Sequence, residues 1–195
     1  MSFILFFLAL IVAITIHEFS HAFIADRLGD PTPRAHGRLS LNPLSHLDPL
    51  GTLMLLLAHI GWGKPVPIDP YNFQNPRRDE LLTALAGPAA NLTLAVLLSL
   101  IYRIIPSSLP YTPVSILISI NVSLAIFNLL PLPPLDGSKI FLGFFPHFTE
   151  AMSRSGYLLL ALLLLLPING TNLISQIITP IISLVLRLLL PQVLI

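Results

Sequence analysis

Residues 3–25 read FILFFLALIVAITIHEFSHAFIA, an almost wholly apolar stretch that carries His17, Glu18, Ser20 and His21 near its end. About twenty apolar residues are enough for a helix to cross the roughly 30 Å hydrocarbon core of a bilayer. The stretch lacks the basic start and the A-x-A cleavage site of a secretory signal peptide, and it continues directly into His17. We therefore expect a retained membrane helix rather than a cleaved leader.

The composition of the whole chain also indicates a membrane environment. The 195 residues are 54% hydrophobic and only 10% charged, whereas soluble domains are about 25% charged. The net charge of +1 offers no basic field for a nucleic-acid partner. The chain has no cysteine, so disulfides and thiolate ligands are excluded. A metal ion would have to be held by His, Asp or Glu, a ligand set that suits zinc, manganese or iron.

Two further apolar runs, at residues 80–105 and 114–130, predict a second and a third span. The third run ends in PLPPLDG at residues 131–137, where three prolines forbid a regular helix. We therefore expect an all-α polytopic membrane protein with a three-span core.

The carboxyl-terminal part begins with a linker and contains two more apolar runs, Tyr157–Leu166 and Leu173–Leu190. The cluster PINGTN between them is typical of a turn, so this part adds one or two spans. We expect residues 1–137 to form the catalytic core and residues 138–195 to add a linker and membrane helices to the same domain.

The segment between the first two spans, residues 31–79, is rich in Pro, Gly, His and Arg. Its apolar run at residues 50–62 is too short for a span, so we expect a re-entrant or interfacial piece with short strands at residues 38–41 and 66–68. Basic residues belong in the cytoplasm, which puts the amino terminus outside and the carboxyl ends of the first and third spans on the cytoplasmic side. The basic residues are Arg27, Arg34, Arg38, Lys64, Arg77 and Arg78.

The motif His17-Glu18-Phe19-Ser20-His21 predicts a metal site. Residues four apart lie on one face of a helix, so His17 and His21 can bind one ion. Glu18 can then reach a water on that ion without itself being a ligand, which is the H-E-x-x-H arrangement of zinc metalloproteases. Ionisable side chains inside a membrane helix cost upwards of about 2.5 kcal/mol and usually mark function. The alternative is a polar contact between helices.

A catalytic zinc ion needs one more protein ligand, and Asp136 is the preferred candidate. It directly follows the third span, in a turn rich in Pro and Gly, and irregular backbone at membrane depth must be buried in protein or line a wet cavity. The predicted topology puts it on the same side as the two histidines. A surface turn is the alternative for Asp136. The other residues considered as ligands are His36, His46, His59, His147, Asp48, Asp69 and Glu150.

Three motifs in this order resemble the site-2 protease family of intramembrane metalloproteases, peptidase family M50. They are HEFSH in an apolar helix, AGPAAN in a later span and NLLPLPPLDG at the end of the next. The stretch GWGKPVPIDPYNFQNPRR resembles a loop of the short members of that family. The resemblance extends from about Ile14 to Gly137, and the chain looks like a short form without a PDZ or CBS domain.

The resemblance implies one zinc ion per chain, held by His17, His21 and Asp136, with Glu18 as the general base. It also implies that Asn128 positions the substrate or stabilises the oxyanion. A hydrogen bond between helices is the alternative for Asn128.

Gly87 and Asn91 in the second motif are interpreted as structural. Small residues let membrane helices approach one another, and asparagine can bridge helices.

The sequence thus predicts a zinc-dependent intramembrane endopeptidase of the cell membrane, with its active site toward the cytoplasm. The expected partners are the lipid bilayer and a membrane-spanning segment of a substrate protein, whose unwound chain an exposed strand edge between residues 36 and 70 could capture. A catalytically inactive relative that binds membrane proteins and a metal-ion transporter are the alternatives. The complete set of ligands and base argues against the first, and the lack of an internal repeat argues against the second.

Overall fold

The computed structural model describes residues 3–58, 61–104, 112–145, 147, 149–168 and 171–190. Most of these residues are helical, as predicted. The helices are α1 (Phe3–Arg27), α2 (Thr32–Ala35), α3 (Pro49–Ala58), α4 (Pro76–Ile104), α5 (Thr112–Asn128), α6 (Asp136–Phe144), α7 (Thr149–Leu165) and α8 (Leu173–Leu189). Two short strands, β1 (Pro167–Ile168) and β2 (Thr171–Asn172), pair antiparallel between α7 and α8.

Two helices, α1 and α4, are long and apolar enough to cross a membrane. At a rise of about 1.5 Å per residue, their 25 and 29 residues extend about 38 Å and about 44 Å. Helix α5 has 17 residues and α7 and α8 are equally short, so the number of spans and the re-entrant piece stay predictions.

The long helices form the core of the protein. Helix α4 packs against both α1 and α5, and α1 also packs against α5. Ala9 and Ala13 of α1 meet Ile116 and Ile120 of α5 in one buried cluster, because small side chains let two helices approach closely. Helix α8 covers α4 and α5 through a second cluster, and α6 packs against α4.

The strands predicted at residues 38–41 and 66–68 do not form in the part of the chain that the structure describes, so that prediction was wrong. The β pairing reported in this segment is an isolated bridge between Leu47 and Gly63. Pro65 and Pro67 flank Val66, and proline cannot donate to a strand ladder. Residues 64–69 therefore carry no regular secondary structure.

The turn after α5 is non-helical, as the prolines predicted, but α6 begins at Asp136 and continues over residues 138–144, where a linker was expected. A side chain on Gly137 would place its Cβ 2.2 Å from the carbonyl oxygen of Leu129 and 2.3 Å from that of Leu130. Only glycine therefore lets the turn fold back onto the end of α5. This fold-back carries Asp136 toward α1 and α4.

A fully buried carboxylate, Asp30, ties the loop after α1 to the loop before α4. It accepts hydrogen bonds from the backbone N–H of Thr32 at 3.0 Å, the backbone N–H of Asp69 at 2.8 Å and Nδ2 of Asn72 at 2.8 Å. Burial alone would raise the pKa of Asp30, but these hydrogen bonds to the charged form outweigh burial and hold the pKa below its usual range.

Candidate metal centre

The structure brings His17, His21 and Asp136 together. The Nε2 atoms of the two histidines are 3.1 Å apart. Oδ2 of Asp136 lies 3.0 Å from Nε2 of His17 and 3.2 Å from Nε2 of His21. Both imidazoles are buried and the carboxylate is half-buried. Among the residues that the structure describes, this is the one place where three or more His, Cys, Asp or Glu side chains bring their ligand atoms close enough to hold one metal ion.

The tautomer of His21 follows from its partner on α4. Nδ1 of His21 lies 2.7 Å from the backbone carbonyl oxygen of Thr83. A carbonyl oxygen can only accept a hydrogen bond, so Nδ1 carries the proton and donates it. Nε2 of the neutral ring then presents its lone pair toward Asp136.

The tautomer of His17 follows from a buried asparagine. Nδ2 of Asn91 donates to the carbonyl oxygen of Ala13 at 3.0 Å, which fixes the orientation of the amide. Oδ1 of Asn91 therefore faces Nδ1 of His17 at 2.7 Å, and that ring nitrogen must donate. Asn91 also donates to Oδ1 of Asn121 at 2.7 Å, so its position is set by α1 and α5 together. Asn91 does bridge helices, as interpreted from the sequence, and its bridge holds a proposed ligand.

The three facing atoms fit a metal ion. Two imidazole lone pairs and a carboxylate oxygen lie 3.0–3.2 Å apart, and a single proton can bridge only two of them. A tetrahedral zinc ion binds N and O ligands at about 2.0–2.1 Å, which sets neighbouring ligand atoms about 3.3 Å apart. Hydrogen bonds from Nδ1 to a carbonyl or amide oxygen are the usual support for metal-binding histidines. The donor set therefore suits zinc, with one coordination position left for a non-protein ligand.

The backbone of α4 approaches the two imidazoles at Gly87. A Cβ atom there would lie 2.5 Å from Nε2 of His21 and 2.7 Å from Nε2 of His17. This close approach agrees with the interpretation of Gly87 as a small residue that lets helices approach. The space that a side chain at Gly87 would fill is occupied by the donor atoms of the two histidines.

Glu18 lies on α1 beside the donor atoms, and the non-helical segment 63–66 lies against it. Oε2 of Glu18 accepts a hydrogen bond from the backbone N–H of Val66 at 3.2 Å. A Cβ atom on Gly63 would lie 2.9 Å from Cγ2 of Ile14 and 3.6 Å from Oε1 of Glu18. Residues 63–66 therefore lie directly against the helix that carries the motif.

Buried Arg38 holds the segment 63–66 in place. Its Nη2 donates a short hydrogen bond to the carbonyl oxygen of Lys64, and the backbone N–H of Lys64 donates to the carbonyl oxygen of His46 at 2.8 Å. Burial lowers the pKa of Arg38, and the nearby charge of Glu18 offsets part of that shift. The sequence suggested only a cytoplasmic basic residue here, because nothing in the local pattern indicated that Arg38 would be buried.

A polar cavity of about 140 Å³ opens onto these residues. Its walls include the three donor residues, Glu18 and Asn128, and it extends to Glu80 on α4 and Lys139 on α6. This volume has room for several water molecules.

Asn128 lies at the end of α5, on the wall of this cavity. Its Nδ2 donates to the carbonyl oxygen of Leu124 in the same helix at 3.0 Å. Among the described residues, no hydrogen bond from Asn128 to another helix is found. Its role toward a substrate stays a prediction.

Two other candidate histidines are engaged elsewhere, and His147 is exposed. Nδ1 of His36 donates to the carbonyl oxygen of Thr32 at 3.0 Å, and Nε2 of buried His46 donates to that of Ser40 at 2.6 Å. His59 lies outside the described residues.

Comparison with known proteins agrees with the geometry. The model of a family described as Peptidase family M50 matches residues 103–166. This range includes Asn128 and Asp136 but not the HEFSH motif, and only the last two residues of α4. A protein of Bacillus subtilis strain 168 named "Putative zinc metalloprotease YwhC" is 39% identical over 178 residues, covering 84% of this chain and 81% of that protein.

Two mycobacterial relatives are more distant. "Putative zinc metalloprotease Rip2" of Mycolicibacterium smegmatis is 34% identical over 179 residues, covering 85% of this chain and 68% of that protein. The protein of the same name from Mycobacterium tuberculosis is 34% identical over 154 residues, covering 74% and 58%. No solved structure matches the chain.

Proposed function

The chain belongs to peptidase family M50, the site-2 protease family, and we propose that it is a zinc-dependent endopeptidase that hydrolyses peptide bonds within or near membrane-spanning segments of other proteins. The observation that carries this proposal is the convergence of three metal-binding atoms beside Glu18, at the end of a helix long and apolar enough to cross a membrane.

His17, His21 and Asp136 would hold one zinc ion per chain. A zinc ion in such a site supplies Lewis-acid chemistry, because it polarises a carbonyl group and lowers the pKa of a water toward about 7. Asp136 contributes one negative charge, which offsets part of the charge of the ion. Thr83 and Asn91 keep the two rings oriented with Nε2 toward the ion.

Glu18 is the general base of the proposed reaction. Its carboxylate takes a proton from the attacking water and later delivers it to the leaving amine. The N–H of Val66 contacts Oε2, which restrains the carboxylate and leaves Oε1 available for the water. Asn128, on the wall of the same cavity, is suited to donate a hydrogen bond to the substrate.

The proposed membrane location is supported by large apolar side chains exposed on the outer faces of the helices. In water such an apolar surface would be an unusually large patch, whereas lipid tails cover it without cost. Examples are Ile4, Leu8, Leu97, Leu100, Leu158, Leu165, Leu184 and Leu188. We propose that the amino terminus is outside the cell and that the polar cavity, reached past Glu80 and Lys139, receives water from the cytoplasmic side.

The substrate of this reaction must unwind locally, because the peptide bonds of a membrane helix are shielded by their own hydrogen bonds. The strand edge that was expected to capture the unwound chain does not form at residues 66–68, because Pro65 and Pro67 lack N–H donors and the N–H of Val66 is bound to Glu18.

The test compares purified Glu18→Gln with the parent protein after reconstitution in lipid vesicles with membrane-spanning peptides. We expect Glu18→Gln to bind zinc like the parent and to lose hydrolysis, because the base lies beside the ligands and is not one of them. Glu150→Gln, the same substitution in α7, is the matched control and should cleave like the parent. Cleavage by Glu18→Gln at the parental rate would refute the assignment. A parent that cleaves nothing would favour an inactive relative, and zinc flux into the vesicles would favour a transporter.

A further inference from the structure

A second cavity, of about 340 Å³, shares a wall with the polar cavity. Both are lined by His17, Glu18, Pro65, Asn128 and Pro134. The rest of the second cavity is almost wholly apolar, with Leu10, Ile14, Trp62, Leu124, Phe127 and Leu135. The proposed base therefore stands between a polar and an apolar chamber.

The apolar lining comes from helix positions next to the reactive ones. Leu10 and Ile14 precede His17 and Glu18 by seven and four residues, so they continue the same face of α1. Leu124 similarly precedes Asn128 by one turn on α5. Trp62, which directly precedes the segment 63–66, closes another side of the chamber.

We propose that the apolar chamber is the specificity pocket of the protease, and that it takes a large apolar side chain of the substrate residue next to the scissile bond. This inference rests on the proposed function. A volume of about 340 Å³ lies within the range of ligand pockets, about 300–1,000 Å³. The scissile bond then lies at the boundary of the chambers, with its carbonyl group facing the polar one.

A peptide fits this chamber better than a lipid tail does. The shared wall carries polar groups of His17, Glu18 and Asn128, and polar groups covered by an apolar chain lose their hydrogen bonds to water. A substrate residue brings a backbone N–H and C=O for these groups together with the apolar side chain for the opposite wall.

The cleavage test uses membrane-spanning peptides that differ only in the two residues around the scissile bond, each in turn Ala, Leu or Phe. We expect the parent protein to cleave peptides with Leu or Phe at one fixed position at least about 10-fold faster than those with Ala, as hydrophobic pockets discriminate by that order. Equal cleavage of all peptides would overturn the pocket and leave the proposed function standing.

Two variants alter the chamber from opposite sides. Leu124→Trp fills it and should abolish the preference for Leu and Phe, whereas Ile14→Ala enlarges it and should shift the preference toward Phe. Leu97→Trp, at a side chain that is 53% exposed on α4, is the control and should keep the parental preference. Zinc content is measured for each variant to verify that the site is intact. Unchanged preferences in both chamber variants would also overturn the proposal.

A binding measurement tests whether the chamber takes the substrate side chain even if no peptide is cleaved. An absence of cleavage would count against the proposed function and not against the pocket. Trp62 is the only tryptophan of the chain, so its fluorescence reports on this chamber. In zinc-stripped parent protein in phosphatidylcholine nanodiscs, we expect the peptides to shift its emission to the blue in the order Ala, Leu, Phe. An identical response to all three would contradict the pocket. Lipids with brominated tails quench a tryptophan that they contact. If they quenched Trp62 and no peptide relieved the quenching, a lipid tail would occupy the chamber and the pocket would be contradicted.

Discussion

Replacing Gly87 by alanine should weaken zinc binding while leaving the helices intact. The new Cβ would lie 2.5 Å from Nε2 of His21, about 0.9 Å short of the 3.4 Å at which ordinary contact begins, and 2.7 Å from Nε2 of His17. Metal–ligand distances tolerate only about 0.2 Å, so the rings cannot yield and still converge. Disturbing such a site costs about 10–100-fold in metal affinity, and a displacement of this size costs about 100-fold in rate.

The same substitution favours the helix itself, because alanine in a helix interior is more stable than glycine by about 0.5–1 kcal/mol. Zinc affinity is measured by titration against a competing chelator, and helix content by circular dichroism. We expect the affinity to fall with no loss of helix. Gly143→Ala in α6 is the matched control, since its new Cβ would come too close only to Cδ1 of Leu81, at 2.7 Å, which is the end of a flexible side chain. Parental zinc affinity in Gly87→Ala would refute the packing of α4 against the site.

The supporting hydrogen bonds predict three more outcomes. Asn91→Leu removes the acceptor for Nδ1 of His17 and should weaken zinc binding about 10–100-fold, whereas Asn91→Asp keeps an acceptor and should weaken it less in the same titration. Arg38→Leu releases the segment that contacts Glu18, so hydrolysis should fall with zinc retained, and Arg38→Lys should restore part of the rate. Hydrogen bonds hold the folded pKa of Asp30 below the ordinary 3.8, so its stabilisation is complete above that pH and lost as pH falls through the folded pKa. Asp30→Asn should lower the free energy of unfolding by about 1–3 kcal/mol near neutral pH. As pH falls and the parent loses this stabilisation, the melting curves of the two proteins should converge.

The fold was predictable where apolar composition determines it. The spans predicted at residues 3–25, 80–105 and 114–130 correspond to α1, α4 and α5 within a few residues. A membrane helix leaves a long apolar run that few other structures share. Helix α6 was missed, because its nine residues are too few for a span and follow a turn rich in proline.

The sequence predicted that His17, His21 and Asp136 would lie together, from the helical spacing of the two histidines and from the position of Asp136 after the third span. The groups that support these side chains were not predictable. A turn of helix between His17 and His21 is visible in the sequence, but the acceptor for His21 is the backbone carbonyl of Thr83, which any residue type would supply. Asn91 was recognised as a bridge, and a buried amide in an apolar span could have indicated a partner of His17. Sequence alone does not say which polar group it meets.

The strand expected at residues 66–68 does not form, because Pro65 and Pro67 lack the N–H donors that a strand needs. The N–H of Val66 reaches Glu18 instead. Long-range contacts of this kind depend on how loops pack against helices, and no local pattern records them.

Two helical histidines and one aspartate from a distant turn are proposed to hold a single ion. Zinc is therefore measured by atomic spectroscopy in purified parent protein and in His21→Ala, Asp136→Ala and Glu18→Gln after identical dialysis. We expect one zinc ion per chain in the parent and in Glu18→Gln, and little in the other two. One tightly held ion per chain in Asp136→Ala would contradict the account.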